Sequence, residues 1–337
     1  CMRPSVVTPA VLVDEHLEFG HIGSRSRRGT VRWLARGFRF GVQTGPFDDP
    51  VALREFARRV EELGYDELFS SDHIGAVDPF LPLMVGAGAT TTLRFGPLVI
   101  NNEFHNPVLL ARAAATFDAL SGGRLLLGMG TGYMQWEHDA AGVPLRPPGP
   151  RVTRLGESLR VLRGLLDDGS VSVDGVEVSV EVEALGVAPA RSRVPFLVGG
   201  HGRRVVSLAG EFADIFQFTG LTHEPGSGAP GAGGFALDDV RRRRDWLAGS
   251  ERFDDIELSA LVQMTHVGHG ADRVLADAVE RIGLSADDLA DTPFVLVGSF
   301  DQVVDKIHRL RDDLGVSHFV IRDPEGFAPV VAALAGS

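Results

Sequence analysis

Short apolar segments alternate with amphipathic helical patterns along most of this chain, and this alternation limits the folds that it can adopt. The pattern is clear at the start, where FRFGVQT (38–44) predicts a strand and Asp49, Pro50 and Gly64 predict the cap, first turn and end of a helix. Continuous apolar strands separated by helices indicate a parallel sheet covered by helices, and eight such units favour a closed (β/α)8 TIM barrel of the α/β class. The eight predicted strands are 38–44, 66–71, 93–100, 124–131, 195–200, 214–220, 256–267 and 317–323.

No linker of distinct composition divides the chain after its first residues, so we expect a single barrel domain over 37–337. Residues 1–36 contain arginines but lack the apolar core of a signal peptide, and we expect a flexible N-terminal extension there. Strict alternation around Asp174-Gly175 predicts a surface hairpin inserted into the barrel. A dinucleotide-binding fold is the main alternative, but GVQTGPFDD after the first strand lacks the glycine pattern that this fold requires.

The composition excludes several classes of partner. A net charge of -12 disfavours nucleic acids and anionic membranes, and no apolar run is long enough to span a bilayer. Because no signal peptide is evident, we expect a cytoplasmic protein. The single cysteine, Cys1, rules out a disulfide framework and a thiolate metal cluster. The arginine run 241–244 has the character of a solvated helix face.

In a β/α barrel the active site lies at the carboxyl ends of the strands, so polar residues directly after each strand are the candidates. Asp72 and His73, in SSDHIG, follow the second strand and so point to the barrel mouth rather than to an ordinary surface turn. The other candidates are Gln43, Ser71, Asn101, Asn102, Thr131, Tyr133, Glu137, 199–203 and Thr219.

The fifth predicted strand continues as VGGHGRRVV, a glycine-rich loop that enters a helix. Glycines allow close backbone approach, and a helix N-terminus offers free N–H groups, so this segment favours a phosphate group, although a tight turn is the plain alternative. Arg203 and Arg204 add positive charge. The sequence contains no metal-binding HxH or HExxH spacing and no GxSxG motif, so we expect no metal site and instead redox or proton transfer with a bound cofactor.

Three segments together resemble the bacterial luciferase-like oxidoreductase superfamily: SDHIG, INNEFHNPVLLARAAATFDALSGGRLLLGMGTGYMQWEHDAAGVPL and VPFLVGGHGRRVVSLAGEFADIF. The resemblance extends from Phe38 to the C-terminus and implies a luciferase-like barrel that uses either FMN or the deazaflavin coenzyme F420. The SDH motif is similar to the F420-dependent branch. In that branch His73 would act in proton transfer, and Asp72 would contact the cofactor ring.

The resemblance also implies the remaining cofactor contacts. A non-proline cis peptide, here Leu98-Val99, would lie behind the cofactor ring, although Pro97 departs from the family pattern. Asn101 and Thr131, which follow strands three and four, are further expected contacts. The residues that match the family's phosphate-binding segment are Gly199, Gly200, His201, Gly202, Arg203 and, near the phosphate tail, Thr219.

Two departures bear on the substrate. Tyr133 and Leu221 stand where the family's sugar-phosphate dehydrogenase has a catalytic glutamate and a phosphate-binding lysine, so a sugar-phosphate site is not expected. Tyr133 is our second catalytic candidate, either as a proton donor or as a packing residue. An apolar small-molecule substrate is favoured by a set of aromatic residues near the mouth: Phe47, Phe104, Tyr133, Trp136, Phe216 and Phe218. The alternative for several of these residues is a place in the core.

The sequence therefore predicts an F420-dependent oxidoreductase in which His73 handles the proton that accompanies hydride transfer. The alternative is an FMN-dependent two-component monooxygenase that is supplied by a separate reductase, and a third possibility is a non-catalytic cofactor-binding barrel. The resemblance further implies a homodimer.

Overall fold

The computed structural model describes residues 36–45, 47, 49–222, 231 and 233–337. The expected extension over 1–36 therefore lies outside the described residues except for Arg36, whose Nη2 donates to the Asp254 carbonyl at 2.8 Å. Among the described residues, no helix combines the length and apolar character needed to cross a membrane.

The described strands form one large parallel sheet and two small accessory sheets. The large sheet runs in the order β3-β2-β1-β13-β10-β9-β8-β5-β4, and a parallel bridge between Phe95 and Leu125 joins its two edges. The sheet therefore closes into a barrel of the predicted (β/α)8 class, and the fold prediction is confirmed. The strands are β1 (Arg39–Gln43), β2 (Glu67–Ser70), β3 (Arg94–Pro97), β4 (Ile100–Asn101), β5 (Leu127–Gly130), β6 (Val171–Asp174), β7 (Ser179–Val182), β8 (Phe196–Gly199), β9 (Ile215–Phe218), β10 (Glu257–Leu261), β11 (Met264–Val267), β12 (Val295–Gly298) and β13 (Val316–Ile321).

Helices cover the outside of the barrel. The first begins as predicted, because the Asp49 side chain accepts from the Val51 amide and Pro50 occupies the first turn. The α-helices are α1 (Pro50–Glu62), α2 (Leu81–Ala87), α3 (Pro107–Leu120), α4 (Gln135–Ala141), α5 (Pro148–Arg163), α6 (Arg203–Phe212), α7 (Leu237–Leu247), α8 (Ala271–Ile282), α9 (Ala286–Asp291), α10 (Phe300–Leu314) and α11 (Pro324–Leu334).

The third predicted strand, 93–100, is divided into β3 and β4. The peptide bond between Leu98 and Val99 at this division is cis, as the resemblance implies. A Cβ atom at Gly128 or Gly130 in β5 would collide with Pro97 or Val99, so the neighbouring strand must carry glycine for the divided strand to pack against it.

Two insertions interrupt the barrel pattern. The hairpin predicted around Asp174 exists as antiparallel β6 and β7, but Asp174 pairs with Ser179, so its turn spans four residues rather than two. The seventh predicted strand, 256–267, is not continuous: β10 belongs to the barrel, whereas β11 leaves it and pairs with β12. The sequence prediction missed β12, α2, α4 and α9, which are all short.

The apolar core has two parts. A small cluster inside the barrel collects side chains from separate strands, including Phe69, Leu197 and Val320. A much larger cluster fills the layer between the barrel and its helices. Phe216 and Phe218 belong to this outer layer and are fully buried, so they are core residues, one of the two places that the sequence allows, and do not line the mouth. The reason is the period of two along β9, which turns these rings outward while Gln217 between them bonds to Ser259.

Candidate active site

The carboxyl ends of the parallel strands bring most of the sequence-predicted candidates to one end of the barrel. Asp72 and His73 follow β2, Thr131 and Tyr133 follow β5, and Thr219 follows β9. The described residues contain no group of three or more histidine, cysteine, aspartate or glutamate side chains that could hold a metal ion. The candidate groups at the carboxyl end of the barrel are individual side chains, beginning with His73.

His73 is held by a buried carboxylate. Its Nδ1 lies 2.7 Å from Glu137 Oε1, and the side chains are 36% and 3% exposed respectively. Because a carboxylate only accepts hydrogen bonds, Nδ1–H donates to Glu137, and Nε2 is the ring nitrogen that this bond does not use. This arrangement suits a histidine that accepts or gives one proton at the mouth.

Tyr133 lies beside this pair. Its ring packs edge-on against His73 with the ring centroids 5.9 Å apart. Burial, with a further contribution from the negative charge of Glu137, raises the pKa of Tyr133 to about 12. The phenol therefore keeps its proton at neutral pH and cannot serve at the mouth as a base.

Asp72 is held in place from two sides. Its Oδ2 accepts from the Asn101 amide at 2.8 Å and from His105 Nε2 at 2.9 Å. The other carboxylate oxygen, Oδ1, has no hydrogen-bond partner among the described residues. Asp72 thus offers one oxygen atom to a ligand while the other fixes the chain at β4.

The Asn101 side chain points into the protein rather than offering free groups to a ligand. Its Nδ2 donates to His138 Nε2 at 3.2 Å, and its Oδ1 accepts from the Glu103 amide at 3.1 Å. His138 Nδ1 in turn donates to the Val143 carbonyl at 3.1 Å, which makes His138 a neutral acceptor for Asn101. Asn101 therefore stabilises helix α4, which carries both His138 and Glu137.

The carbonyl of Leu98, next to the cis bond, accepts from Gln43 Nε2 at 3.1 Å. Gln43 Oε1 accepts in turn from Arg322 Nε at 3.1 Å, so residues from β1 and from the end of β13 meet above the barrel centre. Gln43 was a weak sequence candidate, and Arg322 was not a candidate.

The glycine-rich loop after β8 ends at the start of α6. Gly202 is the N-cap and has no side chain to satisfy the first amide groups of the helix. A Cβ atom at Gly200 would lie 2.7 Å from Val205 Cγ1, so the loop follows the helix closely only because this residue is glycine. Arg203 is exposed at this helix start. Arg204 instead donates to Thr153 Oγ1 at 2.9 Å. Its guanidinium is therefore held against α5 and not at the loop, where the sequence predicts positive charge.

His201 and Thr219 meet behind this loop. Thr219 Oγ1 lies 2.7 Å from His201 Nε2, and Arg243 Nη1 donates to His201 Nδ1 at 3.1 Å. Arg243 is 2% exposed, and burial lowers its pKa to about 10. It also donates to the carbonyls of Thr219 and Gly234. Arg243 thus connects His201, Thr219 and Gly234 inside the protein. The prediction that 241–244 form a solvated helix face is wrong for this residue.

The remaining predicted residues have less specific surroundings. Thr131 donates to the neighbouring Gly132 carbonyl at 3.4 Å. Trp136 and Tyr133 are exposed large side chains at the mouth. Phe104 packs on His138, and Phe47 packs on Phe56.

Comparison with known proteins adds a family context. A model of the family described as luciferase-like monooxygenase matches residues 32–232. A 5,10-methylenetetrahydromethanopterin reductase of Methanopyrus kandleri is 27% identical over 331 residues, which cover 85% of this chain and 93% of the relative. The corresponding reductase of Methanolobus tindarius is 30% identical over 175 residues, 52% of each chain.

An F420-dependent glucose-6-phosphate dehydrogenase of Intrasporangium calvum is 31% identical over 200 residues, 56% of this chain and 57% of the relative. With the Methanolobus and Intrasporangium proteins, the match therefore spans little more than half of the relative's length.

Solved structures share the architecture. The coenzyme F420 dependent tetrahydromethanopterin reductase of Methanopyrus kandleri has a TM-score of 0.71 at 21% identity, covering 89% of this chain and 98% of that one. A riboflavin lyase with modified FMN has the same TM-score of 0.71 at 16% identity, covering 90% and 93%. At these identities the likeness shows a common fold.

Proposed function

The chain belongs to the luciferase-like monooxygenase family, and from this premise we propose that it is an oxidoreductase that transfers a hydride between coenzyme F420 and a small organic substrate. The observation that carries the proposal is His73 at the barrel mouth, with Nδ1 2.7 Å from the buried Glu137. The names of two matched proteins, a dehydrogenase and a reductase structure, include F420 dependence and support the choice of cofactor.

The residues present fit a planar cofactor with a phosphate group. The uncapped start of α6 offers backbone N–H groups, Gly200 keeps the loop close to them, and the exposed Arg203 adds positive charge. Asp72 contributes one unoccupied carboxylate oxygen, and Leu98 and Val99 form the edge of the barrel interior between β3 and β4. Gly199, His201, Gly202 and Thr219 would complete the phosphate end, and Asn101 and Thr131 would border the ring.

When bound, the coenzyme would supply or accept the hydride at its ring. The protein must then manage the proton that accompanies the hydride, and in our proposal His73 does so through Nε2 while Glu137 keeps Nδ1 protonated and the ring oriented. Tyr133 stays protonated and would donate a hydrogen bond to the reacting oxygen or nitrogen of the substrate. The apolar rings of Tyr133 and Trp136 would limit water at this point.

A side-by-side titration of the purified protein with F420 and with FMN tests the proposal. We expect F420 to bind with micromolar affinity and FMN at least about tenfold more weakly. The two neighbouring arginines provide a matched control, because Arg203 is exposed at the helix start whereas Arg204 bonds to Thr153. Arg203→Gln should weaken F420 binding several-fold, and Arg204→Gln should have a smaller effect.

Micromolar FMN binding without F420 binding would overturn the proposal. In that case, oxygen consumption with reduced FMN from a separate reductase would identify the two-component monooxygenase. If F420 binds and His73→Ala leaves every measured turnover unchanged, the proton-transfer role of His73 is wrong.

A further inference from the structure

Arg322 is a cation at the barrel mouth that forms no ion pair with the described residues. It follows β13 directly, between β1 and β10 in the sheet. Its guanidinium donates to Gln43 Oε1 at 3.1 Å, to the Val262 carbonyl at 3.2 Å and to Gln263 Oε1 at 3.0 Å. All three acceptors are neutral, so they orient the guanidinium without neutralising its charge.

The donors of Arg322 are only partly used. Nε donates once and Nη1 donates twice, whereas Nη2 has no hydrogen-bond partner among the described residues. A guanidinium carries five N–H groups in a fixed plane, so two of them are available on Nη2. The residue is also exposed, which makes these donors accessible from the mouth.

Other arginines show why this arrangement is unusual within the described chain. Arg39 and Arg163, which are less exposed than Arg322, each form ion pairs with carboxylates. Arg243 lacks a carboxylate partner as well, but it is fully buried and its donors are used by His201, Thr219 and Gly234. Arg322 therefore combines three properties: orientation by protein groups, no counter-ion from the described residues, and access from the mouth.

The position of Arg322 relates it to the reacting groups. Gln43 links it to the Leu98 carbonyl beside the cis bond. Arg322 follows β13 and Tyr133 follows β5, so both side chains border the space at the carboxyl end of the barrel. Tyr133 in turn packs against His73. A ligand in this space would contact the proton-transfer residue with one part and Arg322 with another.

From these contacts we infer that Arg322 binds a carboxylate group of the substrate, so that the substrate is a small organic acid whose apolar body lies against Tyr133 and Trp136. This inference rests on the proposed function and deepens it. One guanidinium with two spare N–H groups matches the single charge and two oxygens of a carboxylate. The residue Leu221 lies where the related sugar-phosphate site has lysine, so a second cation for a phosphate dianion is not provided there.

Binding of paired neutral and anionic probes tests the inference. Calorimetric titration of the cofactor-bound protein would compare the affinity of each carboxylate with that of its matching amide. The pairs are isobutyrate and isobutyramide, benzoate and benzamide, and phenylacetate and phenylacetamide. We expect at least one carboxylate to bind about tenfold more tightly than its amide, because only the carboxylate forms a charge-assisted pair. Arg322→Gln should remove this preference, and Arg241→Gln, on the exposed face of α7, should retain it.

The inference is overturned if no carboxylate binds more tightly than its amide, or if the preference persists in Arg322→Gln. It is also overturned if Arg322→Gln weakens F420 binding and leaves the carboxylate preference intact, because Arg322 would then recognise the anionic cofactor. The F420 titration of the wild-type protein reports separately on the proposed function, so a missing carboxylate preference with F420 bound overturns this inference alone, whereas a failure to bind F420 overturns the proposed function.

Discussion

The two ends of the barrel use charged residues in opposite ways. At the amino ends of the strands, Arg39, Glu67, Arg94 and Glu257 are the first residues of β1, β2, β3 and β10. Glu67 accepts from Arg39 and Arg94, lies 3.2 Å from His318 Nε2, and is 0% exposed. At the carboxyl ends, His73, Asp72 and Arg322 are accessible or retain atoms without a hydrogen-bond partner among the described residues.

This difference separates stability from ligand binding within one scaffold. Although burial alone would raise the pKa of Glu67, attraction to Arg39, His318 and Arg94 holds that pKa far below its usual value. A buried, fully paired carboxylate of this kind is costly to disrupt. The mouth instead keeps donors and acceptors for a ligand, as expected for the carboxyl face of a β/α barrel.

The largest effect is expected at the closed end. Glu67→Ala would leave Arg39 and Arg94 without their shared buried partner, so the free energy of unfolding should fall by about 3–5 kcal/mol. Urea unfolding followed by circular dichroism measures this change. Glu62→Ala, on the exposed face of α1, is the control and should leave the midpoint unchanged.

Glu67→Ala should also change how the free energy of unfolding depends on pH in the acid range. Because the folded-state pKa of Glu67 is lowered, its contribution is present above the unfolded value near 4.5 and is lost as the pH falls below it. Glu67→Ala should therefore reduce the slope of stability against pH in this acid range. A variant that retained the wild-type slope would show that Glu67 is not the group responsible.

His73→Asn should have the largest effect at the open end. The substitution removes the ring that exchanges the proton, so turnover should fall by at least about a hundredfold, or about 2.7 kcal/mol in activation free energy. Steady-state kinetics with F420 measures the loss. The urea midpoint should stay at the wild-type value, since His73 is partly exposed, and a large drop in stability would contradict the division between the two ends.

Glu137→Gln should have an intermediate effect. The amide keeps the shape of the side chain but no longer offers a charged acceptor to His73 Nδ1, so kcat should fall by about tenfold or more, about 1.4 kcal/mol, while KM changes little. A fall in F420 affinity with unchanged kcat would instead assign Glu137 to cofactor binding.

The smallest effect is expected for Tyr133→Phe. The hydroxyl contributes one neutral hydrogen bond, worth about 1 kcal/mol, so turnover should fall by about fivefold. Unchanged turnover would identify Tyr133 as a packing residue, the other interpretation that the sequence allows. Since the pKa of Tyr133 is about 12, no loss of activity from its ionisation should occur near neutral pH.

The barrel could be predicted from sequence because its strands and helices have different hydrophobic periods, and those periods do not depend on distant contacts. The face that a buried strand residue occupies could not be predicted in the same way. β9 carries apolar residues on both sides, with Ile215 in the inner cluster and Phe216 and Phe218 in the outer layer, so its sequence does not fix which side faces the barrel interior. The missed helices α2, α4 and α9 have seven, seven and six residues, which is too few for a helical period to be recognised.

Some features of the candidate site could also be predicted from the sequence, whereas others depend on the tertiary structure. His73 could be placed at the mouth from strand order alone, whereas its pairing with Glu137 depends on how the loop after β2 and helix α4 approach each other. Glu137 is one of several polar residues after the fourth predicted strand, and no motif in the sequence distinguishes it from the others as the partner of His73. Arg243 is one of four consecutive arginines, and only the tertiary structure shows that it turns inward to His201.

Hydrogen–deuterium exchange with and without F420 tests most directly whether the two ends have separate roles. F420 should slow exchange of backbone amides at the mouth, in peptides that cover 71–73, 98–101 and 199–205. It should leave peptides that cover 65–68 and 255–258 unchanged, because these contribute to the closed end. Slowed exchange at the closed end without slowed exchange in the three mouth segments would contradict the assignment of the cofactor to the mouth.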